Sequence, residues 1–132
     1  SHYPYLSIEE TINIYYFSAW LIGFIEAEGC FSIYKPKDSN LTASFDINQT
    51  NNEILMLTIS KYLGFTQKVC RDDTNNYRIK VTSVRSLENV IKFMHKEPIK
   101  LKGYKRLQFL LWIKGLRTIP RYKDKINIPM IY

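Results

Sequence analysis

Two carboxylates, Glu26 and Glu28, close an apolar run that reads Leu21-Ile22-Gly23-Phe24-Ile25-Glu26-Ala27-Glu28-Gly29. The run predicts a short helix stopped by glycine. A helix C-terminus already carries partial negative charge, so acids placed there are unfavourable for the helix alone and a cation offsets the cost. The two acids lie two positions apart and point in different directions, so one shared job is not implied. Gly23 and Ala27 lie four apart and share a helix face on which another backbone can approach closely. The plain alternative is a core stripe ending in a solvated tip. Other chemistry-bearing residues are scattered. His2 and His95 have no partner at metal-ligand spacing, and Cys30 and Cys70 give neither a disulfide framework nor a metal motif.

The elements that must position these acids follow from periodicity. Ser18 reads as the N-cap of a helix from Ala19 to Ala27. Cys30 to Lys35 alternates, with Phe31 and Ile33 on one face and Ser32 and Tyr34 on the other. A turn at Lys35-Pro36-Lys37-Asp38-Ser39-Asn40 leads to a second strand, Leu41 to Gln49, with Ala43, Phe45 and Ile47 inward and Thr42, Ser44, Asp46 and Asn48 outward. Asn51, Asn52 and Glu53 start a helix through Tyr62, its apolar side Ile54, Leu55, Leu57, Ile59 and Leu63. A second hairpin pairs Gln67 to Arg71 with Tyr77 to Thr82, turning Val69, Ile79 and Val81 inward and Lys68, Cys70, Arg78, Lys80 and Thr82 outward. Ser86 is expected to cap a helix to about Lys96, ended by Pro98. The last long helix, Gly103 to Leu116, is expected to pack through Leu107, Leu110, Leu111 and Ile113. The tail from Arg117 is expected to lie over the surface with one more short helix. Before the first helix, Ser7 with Glu9 and Glu10 caps a short turn.

The resulting class is α+β: helix, two strands, helix, two strands, two helices. A two-stranded ribbon with a hydrogen-bonding outer face fits a DNA major groove, against the alternative of a merely solvated sheet face. Ser32, Tyr34, Lys35, Lys37, Ser44, Asp46, Lys68, Arg78, Lys80 and Thr82 are the candidates for contact with bases or phosphates. Composition points the same way. The 132 residues suffice for one domain, the formal net charge is +7, and ten of the nineteen Lys+Arg fall between Lys96 and Lys125, opposed there only by Glu97 and Asp124. Such a balance implies a polyanionic partner, a trait shared with ribosomal and membrane-surface proteins. No run reaches transmembrane length, and no transit-peptide pattern stands at the start.

The acidic run resembles the signature of the LAGLIDADG homing endonucleases, with glutamates in place of the eponymous aspartates. The resemblance extends over Tyr16 to Phe31, Ala43-Ser44-Phe45-Asp46-Ile47, Lys80 to Ser86 and Leu111-Trp112. It is nearest to the second half of two-motif enzymes encoded in fungal mitochondrial group I introns, of the Aspergillus nidulans type. The resemblance implies a LAGLIDADG half-fold: αββαββα with an extra C-terminal helix, and a curved antiparallel four-stranded sheet forming a DNA-binding saddle. Residues 1–17 resemble the linker after a first half, and 18–132 form the domain. It also implies a Mg2+-dependent endonuclease for double-stranded DNA, with Glu28 and Gly29 at the metal, and Glu28, Gln49 and Lys105 as catalytic residues. Glu26 takes a structural, interface or capping part. Leu21, Gly23, Phe24 and Ala27 would meet a second half, either another copy or a missing N-terminal half. Read plainly, Gln49 is a strand-end polar group and Lys105 a surface lysine. A mitochondrial location and no membrane attachment follow from the same resemblance. Two other functions stay open: an RNA-binding maturase for group I introns, using Lys100, Lys102, Arg117, Arg121 and Lys123, and a binding-only half-domain.

Overall fold

The computed structural model describes residues 7–129; His2 lies outside them. Its elements are α1 (Ile8–Ile12), α2 (Phe17–Glu28), β1 (Gly29–Tyr34), β2 (Thr42–Thr50), α3 (Glu53–Tyr62), β3 (Cys70–Arg71), β4 (Asn76–Val81), α4 (Val84–Lys96) and α5 (Gly103–Leu116). The four strands form one antiparallel sheet in the order β1-β2-β4-β3. This is the α+β architecture expected, with α5 as the additional C-terminal helix.

Capping residues set most of the helix starts. Ser7 and Glu10 form a reciprocal capping box at α1, and Glu9 ties that helix to α3 through Lys61 at 2.6 Å. The Asn52 side chain accepts the Leu55 N–H at 3.0 Å. At α4 the cap is Ser83 rather than Ser86. Ser86 sits in the first turn, where its buried hydroxyl reaches Gln67. Helix α2 begins at Phe17 with no side-chain cap, so Ser18 lies inside it. In the β3–β4 turn, Asp72 Oδ1 accepts from the Thr74 N–H, the Thr74 hydroxyl and the Asn76 N–H, while Asn75 takes a left-handed conformation (φ 61°). The turn keeps both strand ends beside it, and the expected five-residue strand is shortened at its far end instead, leaving β3 as Cys70–Arg71.

One sheet face carries Phe31, Ala43, Phe45, Ile47, Ile79 and Val81, all buried against helices. Leu21, Ile22 and Ile25 of α2, Met56 and Ile59 of α3, and Leu87, Val90 and Ile91 of α4 complete this core. Helix α5 buries Ile113 as expected but otherwise packs by a different stripe. Phe109, Trp112, Ile113 and Leu116 are buried, whereas Leu107, Leu110 and Leu111 are exposed. The buried set holds the proper i, i+3, i+4, i+7 spacing and includes the large rings, which gain most from burial. Phe31 of β1 lies 5.0 Å, ring to ring, from both Phe109 and Trp112. On α3, Ile54 is exposed and Met56 takes the core position instead.

The tail also departs from expectation. Residues 117–126 run as successive turns, not a helix, and Ile119, Tyr122 and Ile126 are buried. The Tyr122 hydroxyl donates to the Thr82 carbonyl at 2.8 Å and accepts the Ala43 N–H at 3.2 Å, stitching β2 to the end of β4. Burial pushes this phenol up from its ordinary pKa, so it keeps its proton.

Candidate functional site

The junction of α2 and β1 has no loop. Helix α2 ends at Glu28 and β1 begins at Gly29. Glycine is required there for space rather than for an unusual dihedral. A Cβ at position 29 would stand 2.8 Å from the Ile25 carbonyl oxygen and 2.9 Å from Ile25 Cγ2, while φ is an ordinary −79°.

The two acids have separate surroundings. Glu26 accepts the backbone N–H of Lys102 at 2.5 Å, and Lys102 is the N-cap of α5. Its carboxylate therefore sits at the positive end of that helix. Glu28 is exposed. Lys105, in the first turn of α5, donates its ammonium to the Gly29 carbonyl and lies 3.5 Å from Gln108 Oε1. Gln108 Oε1 in turn accepts the Phe31 N–H at 3.1 Å, and Trp112 Nε1 donates to the Ser32 carbonyl at 3.1 Å. Helix α5 thus covers the free edge of β1 and satisfies backbone groups that no strand pairs.

Gln49 joins this corner through strand register. Gly29 is opposite Ile47, and Gln49 lies two residues further along β2, a rise of about 7 Å. It is half-buried. Glu28, Gly29, Gln49 and Lys105, chosen from distant parts of the chain, therefore gather at one end of the sheet. Lys102, which sequence reasoning placed only on a basic surface, is exposed at the same corner. The contact from Glu26 locates it, and that contact spans 76 positions.

On α2, Trp20, Gly23, Ala27 and Glu28 are exposed and Phe24 is half-buried. A Cβ at Gly23 would meet nothing within 4 Å. Trp20 stacks on Phe24 with ring centres 5.1 Å apart. Leu21 corrects the expected surface: it is fully buried in the chain's own core and cannot face a partner.

The open face of the sheet carries the other candidates. Lys35 and Lys37 are exposed beside the β1–β2 turn. Lys68, Cys70, Arg78 and Lys80 line, with Gln67, an open depression of about 380 Å3. Arg78 pairs with Asp46 at 3.1 Å, and the Lys80 ammonium lies 4.2 Å from the centre of the Tyr34 ring. Ser32 Oγ lies 3.2 Å from Cys30 Sγ, and Thr82 is half-buried. Two members are not freely presented as expected: Ser44 is fully buried and Asp46 nearly so. Long side chains from β1 and β4 fold over the central strand, an effect alternation alone does not reveal.

Three of the five residues offered for RNA are used inside the chain. Lys100 Nζ donates to the Met94 and His95 carbonyls at the end of α4, Arg117 to the Pro129 carbonyl and Arg121 to the Thr42 hydroxyl. Among the described residues no group of three or more His, Cys, Asp or Glu is placed to hold a metal, and no helix is long and apolar enough to cross a membrane.

A family model described as LAGLIDADG endonuclease matches residues 21–116. The probable intron-encoded endonuclease aI3 of Debaryomyces hansenii is 33% identical over 99 residues, covering 75% of this chain and 14% of that protein. The chain spans 14% to 39% of the first curated relatives it matches. Among solved structures, the LAGLIDADG meganuclease I-AabMI bound to uncleaved DNA superposes with a TM-score of 0.65 at 29% identity, over 74% of this chain and 35% of that one. The homing endonuclease I-CvuI, in complex with its target in the presence of 2 mM Ca, gives 0.63 at 25% identity, over 81% and 69%.

Proposed function

The chain belongs to the LAGLIDADG endonuclease family, and from that premise we propose that it is one half of a site-specific endonuclease that hydrolyses phosphodiester bonds in double-stranded DNA. The observation that carries the reading is Glu28. It is an exposed carboxylate at the tip of α2, on a helix whose glycine–alanine face is open to a second half and whose end leads directly into the sheet edge.

Each residue of the corner has work assigned by its surroundings. Glu26 is spent on the α5 N-terminus, which leaves Glu28 as the free acid. One carboxylate makes an incomplete site, and a second half pairing through Gly23, Phe24 and Ala27 would bring its counterpart. Glu28 fits a hard divalent cation such as Mg2+, which favours oxygen ligands. When bound, that ion would supply charge neutralisation at the scissile phosphate and an activated water. The Gly29 carbonyl is the weaker candidate ligand, because the Lys105 ammonium already shares it and would repel a second cation. Lys105 fixes the corner through that bond, Gln49 offers an amide to orient water, and exposed Lys102 offers a further positive charge. The basic open face of the sheet holds the duplex through Lys35, Lys37, Lys68, Arg78 and Lys80.

Relatives with DNA and with a divalent cation in their descriptions support the substrate and metal classes. Relatives described as intron-encoded support an intron origin, and the mitochondrial placement rests on the fungal resemblance. Residues 1–17 as a linker and 18–132 as one domain belong to the same proposal.

The test is cleavage of a randomised duplex library with Mg2+. Glu28→Gln is expected to abolish cutting, a loss of 100-fold or more, roughly what removing one electrostatic contact to the reacting group costs. Duplex binding should persist. Cutting by the variant at the original rate would overturn the assignment of Glu28.

A further inference from the structure

Ser44 lies in the middle of the open sheet face, yet it is fully buried and its Oγ has no hydrogen-bond partner. Buried hydroxyls ordinarily find one. Strand register shows which side chains flank it. On β2, Ser44 is opposite Ser32 of β1, and Tyr34 of β1 is opposite Thr42. On the other side of β2, Lys80 of β4 is opposite Asp46. Tyr34 and Lys80 thus flank the central strand from opposite sides, one beside position 42 and one beside 46. Their side chains meet, with the ammonium 4.2 Å from the ring centre. A line between them crosses β2 at Ser44.

We infer that Ser44 is a base-reading residue kept covered by the Lys80–Tyr34 contact in the free protein and uncovered when duplex DNA draws Lys80 away. The inference rests on the reading of this face as a DNA surface. The exposed Lys80 ammonium over the half-buried Tyr34 ring is bound only modestly. A phosphate or a guanine edge offers that ammonium a stronger, charge-assisted partner. Once Lys80 leaves the ring, the Ser44 hydroxyl has both its donor and its acceptor capacity free. Neighbouring polar groups are less available, since Asp46 is paired with Arg78 and Ser32 Oγ with Cys30 Sγ.

Two measurements on the full chain test this. The first replaces Cys30 and Cys70 with serine, introduces Ser44→Cys, and follows thiol labelling without DNA. Labelling should be slow, and adding Tyr34→Ala should speed it about tenfold. Equal rates with and without the Tyr34 ring would overturn the cover. The second selects bound sequences from a randomised duplex library with the unmodified chain and with Ser44→Ala. The variant should lose about fivefold in affinity for the preferred duplex, down to its affinity for duplexes altered at one base pair, with preferences at other pairs kept. An unchanged preference at every pair would overturn the reading role of Ser44 while leaving the DNA-binding surface intact. No enrichment of any duplex by the unmodified chain would instead overturn the DNA surface itself, and Ser44's role with it.

Discussion

Two acids that look alike in the sequence have been given different environments. Glu26 holds the start of α5, and Glu28 stands free. Glu26→Ala is therefore expected to destabilise the fold by about 1–2 kcal/mol, the range for a charge-assisted bond at a partly exposed helix end. Glu28→Ala should change stability by no more than about 0.5 kcal/mol. Thermal unfolding of the two variants separates these outcomes. A third acid gives a pH response. Glu88 accepts the Asn127 N–H at 2.8 Å and pairs with Lys92 at 3.2 Å. The Asn127 N–H, more than Lys92, holds its pKa below the usual glutamate value. A lowered folded pKa means that its stabilising effect is complete above the ordinary glutamate range and is lost as pH falls through the depressed value. The Asn127 amide resonance should shift across that acid window, and Glu88→Gln should abolish the shift. Sequence spacing showed that Glu26 and Glu28 diverge. It did not show which one is occupied, because the occupant arrives from α5.

Among the elements, α5 separates what pattern reading can and cannot supply. Its helical extent was legible, since Gly103 to Leu116 is observed as expected. Its buried side was legible only at Ile113. Two apolar stripes share that helix, and the choice between them depends on the Phe31 ring and the β1 edge that Trp112 meets. Trp112→Ala is accordingly expected to cost about 3–5 kcal/mol. Leu107→Ala on the exposed stripe should cost about 0.5 kcal/mol or less. Denaturant titration gives both numbers, and the reverse order would restore the stripe first expected. Helix α2 invites a different test. Because nothing lies near a Cβ at Gly23, Gly23→Leu should leave the fold at least as stable, helped by better helix propensity. The same side chain should block close pairing of two such helices, which sedimentation reads as loss of a concentration-dependent dimer.

At the scale of the molecule, helices cover one side of the sheet and the other side is left to charged and hydroxyl-bearing residues. Alternation in β1, β2 and β4 made that division readable before any coordinates, because strand side chains alternate faces. The tail is the least legible part because Ile119, Tyr122 and Ile126 keep a helical spacing of three and four while the backbone runs as turns, and Tyr122 acts through hydrogen bonds to strands far away in sequence. The loop-free joint between Glu28 and Gly29 reaches furthest. A hinge needs slack, and the packing of Ile25 against Gly29 provides none. Whatever docks on α2 therefore steers the strand behind it, as a handle turns a blade. Exchanging one docking companion for another would re-aim the whole sheet without altering a single residue on it.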